Sequence, residues 1–179
     1  HPVAHSFPTR RSSDLGINCP LSSGAGRVFD AAAAVVGLCS HAGFEAEGPM
    51  RLESIVDPAV NESYEIAVKS EIDTPALVAA VADDVRRKLP PSTIAAKFHN
   101  AIVRSVIETA KIMRRNSGIT NVVLSGGSFQ NGVILGRTEA VLREDGFSVF
   151  THRQVPCNDA GVAAGQLRIA AQRREKSCV

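Results

Sequence analysis

The sequence predicts an α/β fold whose sheet is largely parallel. Short β-branched runs alternate with longer amphipathic patterns, and this alternation is typical of strands joined by crossover helices. The chain has 179 residues, of which 44% are hydrophobic, so it is long enough to bury one core. Only 4% of the residues are aromatic and none is Trp. We therefore expect a single core built from Ala, Val, Ile and Leu.

The first half of the chain is predicted to be mainly helical. A small-residue turn and four alanines predict a helix from Ser23 to Leu38. A loop from His41 to Pro49 then leads into a short helix from Met50 to Val56, and a strand is predicted at Tyr64–Val68. Thr74-Pro75 begins a helix that continues to about Lys88, since proline suits the first helical position.

The second half alternates between helices and strands. The longest helix is predicted from about Thr93 to Arg115, and Asn116-Ser117-Gly118 ends it. The remaining predicted elements are a strand at Asn121–Leu124, a helix at Gln130–Glu144, a strand at Ser148–Phe150 and a helix at Asp159–Arg173. We find no internal repeat in the sequence.

Two adjacent glycines, Gly126 and Gly127, follow the predicted strand Asn121–Leu124. A Cβ at either position would stand between the backbone and a ligand on the strand end, and glycine also tolerates positive φ. The next helix begins near Gln130 and Asn131, so its amides and dipole would face the same place. The pattern indicates a site for phosphate or ribose. The alternative is a plain connection from strand to helix.

Two carboxylates occupy unusual places beside small-residue helices. Asp30 comes early in an otherwise apolar helix, and its two oxygens suit a ribose diol; alternatively, it favours the positive end of the helix dipole. Asp159 lies at a polar turn, where a hard oxygen donor suits a divalent cation. One carboxylate cannot form a metal site by itself, so N-capping by Asn158 or Asp159 is the competing interpretation.

Composition and spacing exclude several other classes of protein. A net charge of +2 is too small to indicate nucleic acid as an electrostatic partner. The four cysteines show no C-x-x-C spacing, which argues against a zinc site or a redox pair. No apolar run of the sequence approaches the roughly 18 residues that cross a bilayer. The histidines at 41, 99 and 152 are isolated, and His99 lies on an apolar helical face that favours packing or hydrogen bonding over metal ligation. With no secretory signal recognised, we expect a cytoplasmic location.

Five segments together resemble the HypF family of carbamoyltransferases, which act in nickel-iron hydrogenase maturation. They are SSGAGRVFDAAAAVVG from Ser22, FEAEGPMRLE from Phe44, AKFHN from Ala96, LSGGSFQN from Leu124 and GFSVFTHRQVPCNDAGVAAGQ from Gly146. Their order and spacing are similar to those of the C-terminal part of the family's TsaD-like domain. We therefore expect residues 16–175 to be that part, and residues 1–15 to be an unrelated or disordered extension.

The resemblance implies a fold, ligands and roles for individual residues. The fold would be part of an actin-like ATPase, or ribonuclease-H-like, domain with a mixed sheet and helices on both faces. The ligand would be ATP or carbamoyl-adenylate. Asp30 would hold the ribose, Gly48 would approach the nucleoside, and Gly126, Gly127 and Asn131 would line the adenosine and phosphate pocket. Asp159 would bind a divalent metal ion of unknown identity, and the resemblance assigns no catalytic residue.

The resemblance also implies partners. The carbamoyl group would pass to the C-terminal cysteine of a HypE-type acceptor protein, and carbamoyl phosphate and ATP would enter through domains outside this sequence. In this family a His-x-x-x-His pair completes the metal site, and residues 16–175 contain none. Two alternatives therefore stay open: a TsaD-like transferase acting on tRNA, and a nucleotide-binding module without catalysis.

Overall fold

The computed structural model of the chain describes residues 24–68 and 71–176. The expected extension at residues 1–15 lies outside them and stays a prediction. The described residues form helices α1 (Ala25–Val36), α2 (Glu47–Ser54), α3 (Thr74–Arg86), α4 (Pro91–Ser117), α5 (Gly132–Glu144) and α6 (Val162–Lys176), with strands β1 (Asn121–Leu124) and β2 (Ser148–Thr151). Short 3₁₀ helices span Gly127–Gln130 and Asp159–Gly161. This is a mixed α/β architecture, as the sequence predicts.

The two strands pair in parallel, with Asn121 beside Ser148 and Leu124 beside Thr151. Helix α5 connects them and packs against β2, because parallel neighbours require a crossover connection. Leu124 and Val149 are buried, whereas the neighbouring Val123 and Phe150 of the opposite face are 67% and 55% exposed. In the described part of the chain, a helix therefore covers one face of the sheet.

Five helices surround the main core. Helix α1 packs against α2 and α3, and α4 contacts both α3 and α5. Phe29, Phe98 and His99 meet edge to face at the centre, with ring centroids 5.0 to 5.9 Å apart. Most other core residues are Ala, Val, Leu and Ile, which confirms the composition-based expectation. No helix of residues 24–68 and 71–176 is both long and apolar enough to cross a bilayer.

The predicted strand at Tyr64–Val68 is wrong. The segment makes only an isolated bridge between Val68 and Ile72. Side chains replace a strand ladder: Tyr64 Oη donates to Asp84 Oδ2 at 3.0 Å, and Asn100 Nδ2 donates to the carbonyls of Val60 and Glu62. Lys97 also donates to Asp84. These polar contacts to α3 and α4 hold Tyr64 and the residues just before it without a neighbouring strand.

Helix α2 begins at Glu47, three residues before the predicted start. Gly48 and Pro49 therefore lie in its first turn and not in a loop. Proline is tolerated there because amides of the first turn have no partner within the helix. Helix α5 likewise begins at Gly132, after the 3₁₀ turn, and not at Gln130.

Candidate functional site

Asp30 and Gly48 meet where α1 crosses the start of α2. A Cβ added to Gly48 would stand 3.2 Å from Asp30 Oδ1 and 3.3 Å from Ala33 Cβ, closer than side chains normally pack. The absence of a side chain at Gly48 therefore allows the two helices to approach. Both residues also line a cavity of about 430 Å³, which is within the size range of small-molecule sites.

The position of Asp30 argues against a role at the helix dipole. It is the sixth residue of α1, whose first turn contains no acidic residue, and dipole effects fade beyond that turn. Its Oδ2 pairs with Arg27 at 3.0 Å, while the Arg27 side chain is 72% exposed. Such an exposed pair contributes little stability, so the carboxylate remains available to a ligand.

A second side of the cavity is formed by the loop between α1 and α2, which is tied down at Gly43. Gly43 N donates to Glu47 Oε2 at 2.6 Å, and Arg51 pairs with Glu47 Oε1 at 2.6 Å. The Gly43 amide lowers the pKa of Glu47, and Arg51 lowers it further against the opposing effect of desolvation. Glu47 is thus an ionised anchor that holds the loop carrying Phe44 beside the cavity.

The glycine corner, Ser125–Gly127, lies where β1 ends. Gly126 has φ 103° and ψ 159°, a conformation that favours glycine, and its amide donates to the Cys157 carbonyl at 2.9 Å. Ser125 Oγ and His152 Nε2, which follow the two strands, are 2.9 Å apart. These contacts bring the β1 turn together with the turn after β2, as parallel strands predict.

Open space surrounds Gly127 at this corner. A Cβ on Gly127 would have nothing within 4 Å. Among residues 24–68 and 71–176, nothing accepts a hydrogen bond from the amides of Gly127 and Ser128. The corner can therefore offer donors to a ligand, whereas Gly48 faces a neighbouring helix.

At the start of α5, where the sequence predicts a phosphate or ribose site, side chains occupy two of the first-turn amides. Asn131 Oδ1 accepts from Ile134 N at 3.0 Å, and Glu53 Oε1 from α2 accepts from Gly132 N at 2.7 Å. The Glu53 carboxylate stands where a phosphate was expected. The amides of Gly132 and Ile134 are therefore not free for a ligand, and the site at this edge stays a prediction.

Asn131 belongs to a buried hydrogen-bond chain. His99 Nδ1 lies 2.7 Å from the Ala95 carbonyl, and Asn131 Nδ2 lies 3.0 Å from His99 Nε2. Because the carbonyl can only accept and the Asn131 amide nitrogen can only donate, His99 must carry its proton on Nδ1. Burial lowers the pKa of His99, and the Ala95 hydrogen bond opposes that shift. A packing and hydrogen-bonding role for His99 is confirmed, and Asn131 supports the corner from beneath.

Asp159 lies exposed after β2. The local N-cap is Asn158, whose Oδ1 accepts from Ala160 N at 3.2 Å, so the Asp159 carboxylate is not needed for capping. The described ranges contain no group of three His, Cys, Asp or Glu residues placed to hold a metal ion. Within them Asp159 supplies one hard oxygen ligand, and its role as a metal ligand stays a prediction.

Helix α1 links the cavity at Asp30 and Gly48 to the glycine corner, because it contacts both α2 and the 3₁₀ turn that follows the corner.

Sequence reasoning missed Phe44, Glu47, Glu53 and the Ser125–His152 pair. The parallel strands offered a signal for that pair, since each residue directly follows a predicted strand. Glu53 lies 79 positions before the amide that it caps, and no local pattern indicates such a contact.

Comparisons with known proteins show which family the chain resembles. The family described as "Carbamoyltransferase, Kae1-like Domain, second subdomain" matches residues 4–166. The carbamoyltransferase HypF of Synechocystis sp. is 34% identical over 165 residues, covering 89% of this chain and 21% of the relative. HypF of Rhodobacter capsulatus is 33% identical, covering 98% of this chain and 23% of the relative.

A solved structure matches the fold as well. The crystal structure of full-length HypF in a phosphate- and nucleotide-bound form aligns with a TM-score of 0.84 and 38% identity, covering 90% of this chain and 22% of that protein. The chain thus spans about a fifth of the length of the curated relatives described above. The sequence, the fold and the matched domain together show that this chain belongs to the HypF carbamoyltransferase family.

Proposed function

We propose that this chain contributes a nucleotide site to carbamoyl transfer, with ATP or carbamoyl-adenylate as the ligand. The observation that carries the proposal is the shared cavity of about 430 Å³, which Asp30 and Gly48 both line. Its size suits a nucleoside. Family membership adds support, because the matched relatives are named carbamoyltransferases.

In this proposal Asp30 accepts hydrogen bonds from the ribose diol. Its side chain is 34% exposed and already orders an exposed arginine, Arg27. A diol offers two donors to the two carboxylate oxygens, and the weak ion pair with Arg27 is not an obstacle. Gly48 keeps α2 close to Asp30 and leaves no side chain at this edge of the cavity.

The phosphates would lie toward the glycine corner. The amides of Gly127 and Ser128 offer donors, and the open space at Gly127 leaves room for an anion. A divalent cation bound through Asp159 would stabilise charge on the leaving phosphate. Asp159 fits this task only as one ligand of several, since no cluster of metal ligands occurs among the described residues.

The acceptor in this proposal is a HypE-type protein with a C-terminal cysteine. Carbamoyl-adenylate is a mixed anhydride and therefore already activated, so the protein mainly has to orient it and stabilise developing charge. Preformed backbone donors at the glycine corner are suited to the second requirement. Domains outside this sequence would make the carbamoyl-adenylate from carbamoyl phosphate and ATP.

Calorimetric titration with ATP tests the nucleotide site. Asp30→Asn should weaken binding by about 1 to 2 kcal/mol, the scale of a charge-assisted hydrogen bond. Asp83→Asn is the matched control, because Asp83 also forms an exposed i,i+3 pair with an arginine on a helix but does not line the cavity. Equal ATP affinity in wild type and Asp30→Asn would contradict the ribose role.

Transfer needs its own measurement. Mass spectrometry of a HypE C-terminal peptide, incubated with this chain and carbamoyl-adenylate, detects carbamoylation of the cysteine. Carbamoylation above the level without protein supports the transferase proposal. Binding of ATP without transfer would instead favour a nucleotide-binding module, an alternative suggested by the lone carboxylate at Asp159.

A further inference from the structure

We propose that Phe44 stacks on the adenine ring of the bound nucleotide, an inference that rests on the nucleotide site proposed above. Phe44 lines the same cavity as Asp30. The cavity is also lined by Ala31 and Ala34 of α1, whose small side chains leave room for a flat ring. An aromatic wall, a small-residue wall and a carboxylate together suit a base joined to a ribose.

The exposure of Phe44 is the first argument. Its side chain is 57% exposed although it borders a cavity large enough for a nucleoside. A phenylalanine in water gains favourable free energy when a ligand covers it, and aromatic rings prefer offset or edge contacts with other π systems. A purine entering the cavity would cover this ring.

The second argument is that the protein holds the Phe44 loop in a fixed and strained shape. Glu47 anchors the loop at Gly43, and Arg51 ties Glu47 to the end of α1 through Leu38 O at 2.9 Å. Ala46 has φ 63°, in the left-handed region. Non-glycine residues in that region cost free energy and cluster at ligand sites.

These features distinguish Phe44 from other exposed aromatic residues in the described part of the chain. Phe150 is similarly exposed, at 55%, but it lies in the regular strand β2 and does not line the cavity. Phe150 is therefore a matched control for the loss or replacement of an exposed ring.

Tryptophan fluorescence provides a direct test, since the sequence has no Trp. Phe44→Trp places a single indole at the cavity, and ATP should change its fluorescence, whereas ribose 5-phosphate, which lacks a base, should not. ATP should leave the fluorescence of Phe150→Trp unchanged. If calorimetry shows that Phe44→Trp binds ATP but its tryptophan fluorescence does not change, the stacking role is overturned.

Affinity provides a second test. Phe44→Ala should weaken ATP binding about tenfold, the scale of one base-aromatic stack, and should leave ribose 5-phosphate affinity unchanged. Phe150→Ala should not alter either affinity, and circular dichroism should be the same for all variants. If wild type binds ATP through Asp30 but Phe44→Ala binds equally well, only the stacking inference fails. If wild type does not bind ATP, the proposed function fails and this inference fails with it.

Discussion

Gly48 and Gly127 both lie beside the proposed ligand site, yet they lack a side chain for different reasons. At Gly48 a Cβ would meet Asp30 Oδ1 at 3.2 Å and Ala33 Cβ at 3.3 Å. At Gly127 a Cβ would meet nothing within 4 Å. The first glycine serves the packing of two helices, whereas the second leaves space that the protein does not use. A glycine can therefore be required by the packing of the protein or leave open space beside it, and the structure distinguishes these two cases.

The largest effect is expected for Gly48→Val. A branched side chain would push α1 away from α2, and overpacking of this kind costs about 1 to 3 kcal/mol. We expect urea unfolding to show that loss. Gly136→Val is the control, because Gly136 lies in α5 with open space around it; its stability should change by less than about 0.5 kcal/mol. An equal loss of unfolding free energy in both variants would contradict a special packing role for Gly48.

Gly127→Val tests the opposite case. The free energy of unfolding should stay within about 0.5 kcal/mol of wild type, since an added Cβ has nothing within 4 Å. ATP affinity should fall at least about tenfold, or about 1.4 kcal/mol, because the side chain would occupy ligand space. Calorimetry and urea unfolding of the same preparation separate the two results. Unchanged ATP affinity would reduce Gly127 to part of a structural turn.

Acidification should weaken the support of the glycine corner. Burial lowers the pKa of His99 in the folded chain, so the unfolded chain takes up a proton first as pH falls below about 6.5. Stability should therefore be full above that pH and decline as pH falls toward the lowered value. Urea unfolding from pH 8 to pH 5 measures this slope. In His99→Gln the free energy of unfolding should depend less steeply on pH. An unchanged dependence would contradict its assignment to His99.

The smallest effect is expected at the strained loop. Ala46 and Lys88 both have left-handed φ, 63° and 60°, so replacing either by glycine should raise the free energy of unfolding by up to about 1 kcal/mol. Only Ala46→Gly should also weaken ATP binding, because it loosens the loop that carries Phe44. Thermal unfolding and calorimetry measure the two quantities. Equal ATP affinity in both variants would show that loop rigidity does not contribute to binding.

Sequence periodicity predicts most of the fold because local patterns determine most of its elements. The strands at Asn121 and Ser148 and the long helix α4 lie within two residues of their predicted bounds. The segment Tyr64–Val68 was mispredicted because Tyr64 is held by a side chain of α3 and not by a neighbouring strand. Neither periodicity nor propensity encodes such contacts.

The candidate site was predictable only in part. Asp30 and Gly48 share a cavity, while Asn131 supports the fold through His99. At the start of α5 a carboxylate from a distant helix, Glu53, accepts from the Gly132 amide, a contact that the sequence does not predict. A helix start predicts free amides, but only tertiary structure shows whether protein or ligand satisfies them. Glu47 and Arg51, which hold the Phe44 loop, could be recognised only after the structure placed the start of α2 at Glu47.

The locked ring of His99 has a practical consequence for spectroscopy. Its Nδ1 proton is fully enclosed and hydrogen-bonded to Ala95 O, so it should exchange slowly with solvent and give a resolved downfield nuclear magnetic resonance signal. That single resonance would report whether the junction of α4 and α5 is intact in any variant that keeps His99, without a ligand and without a separate probe.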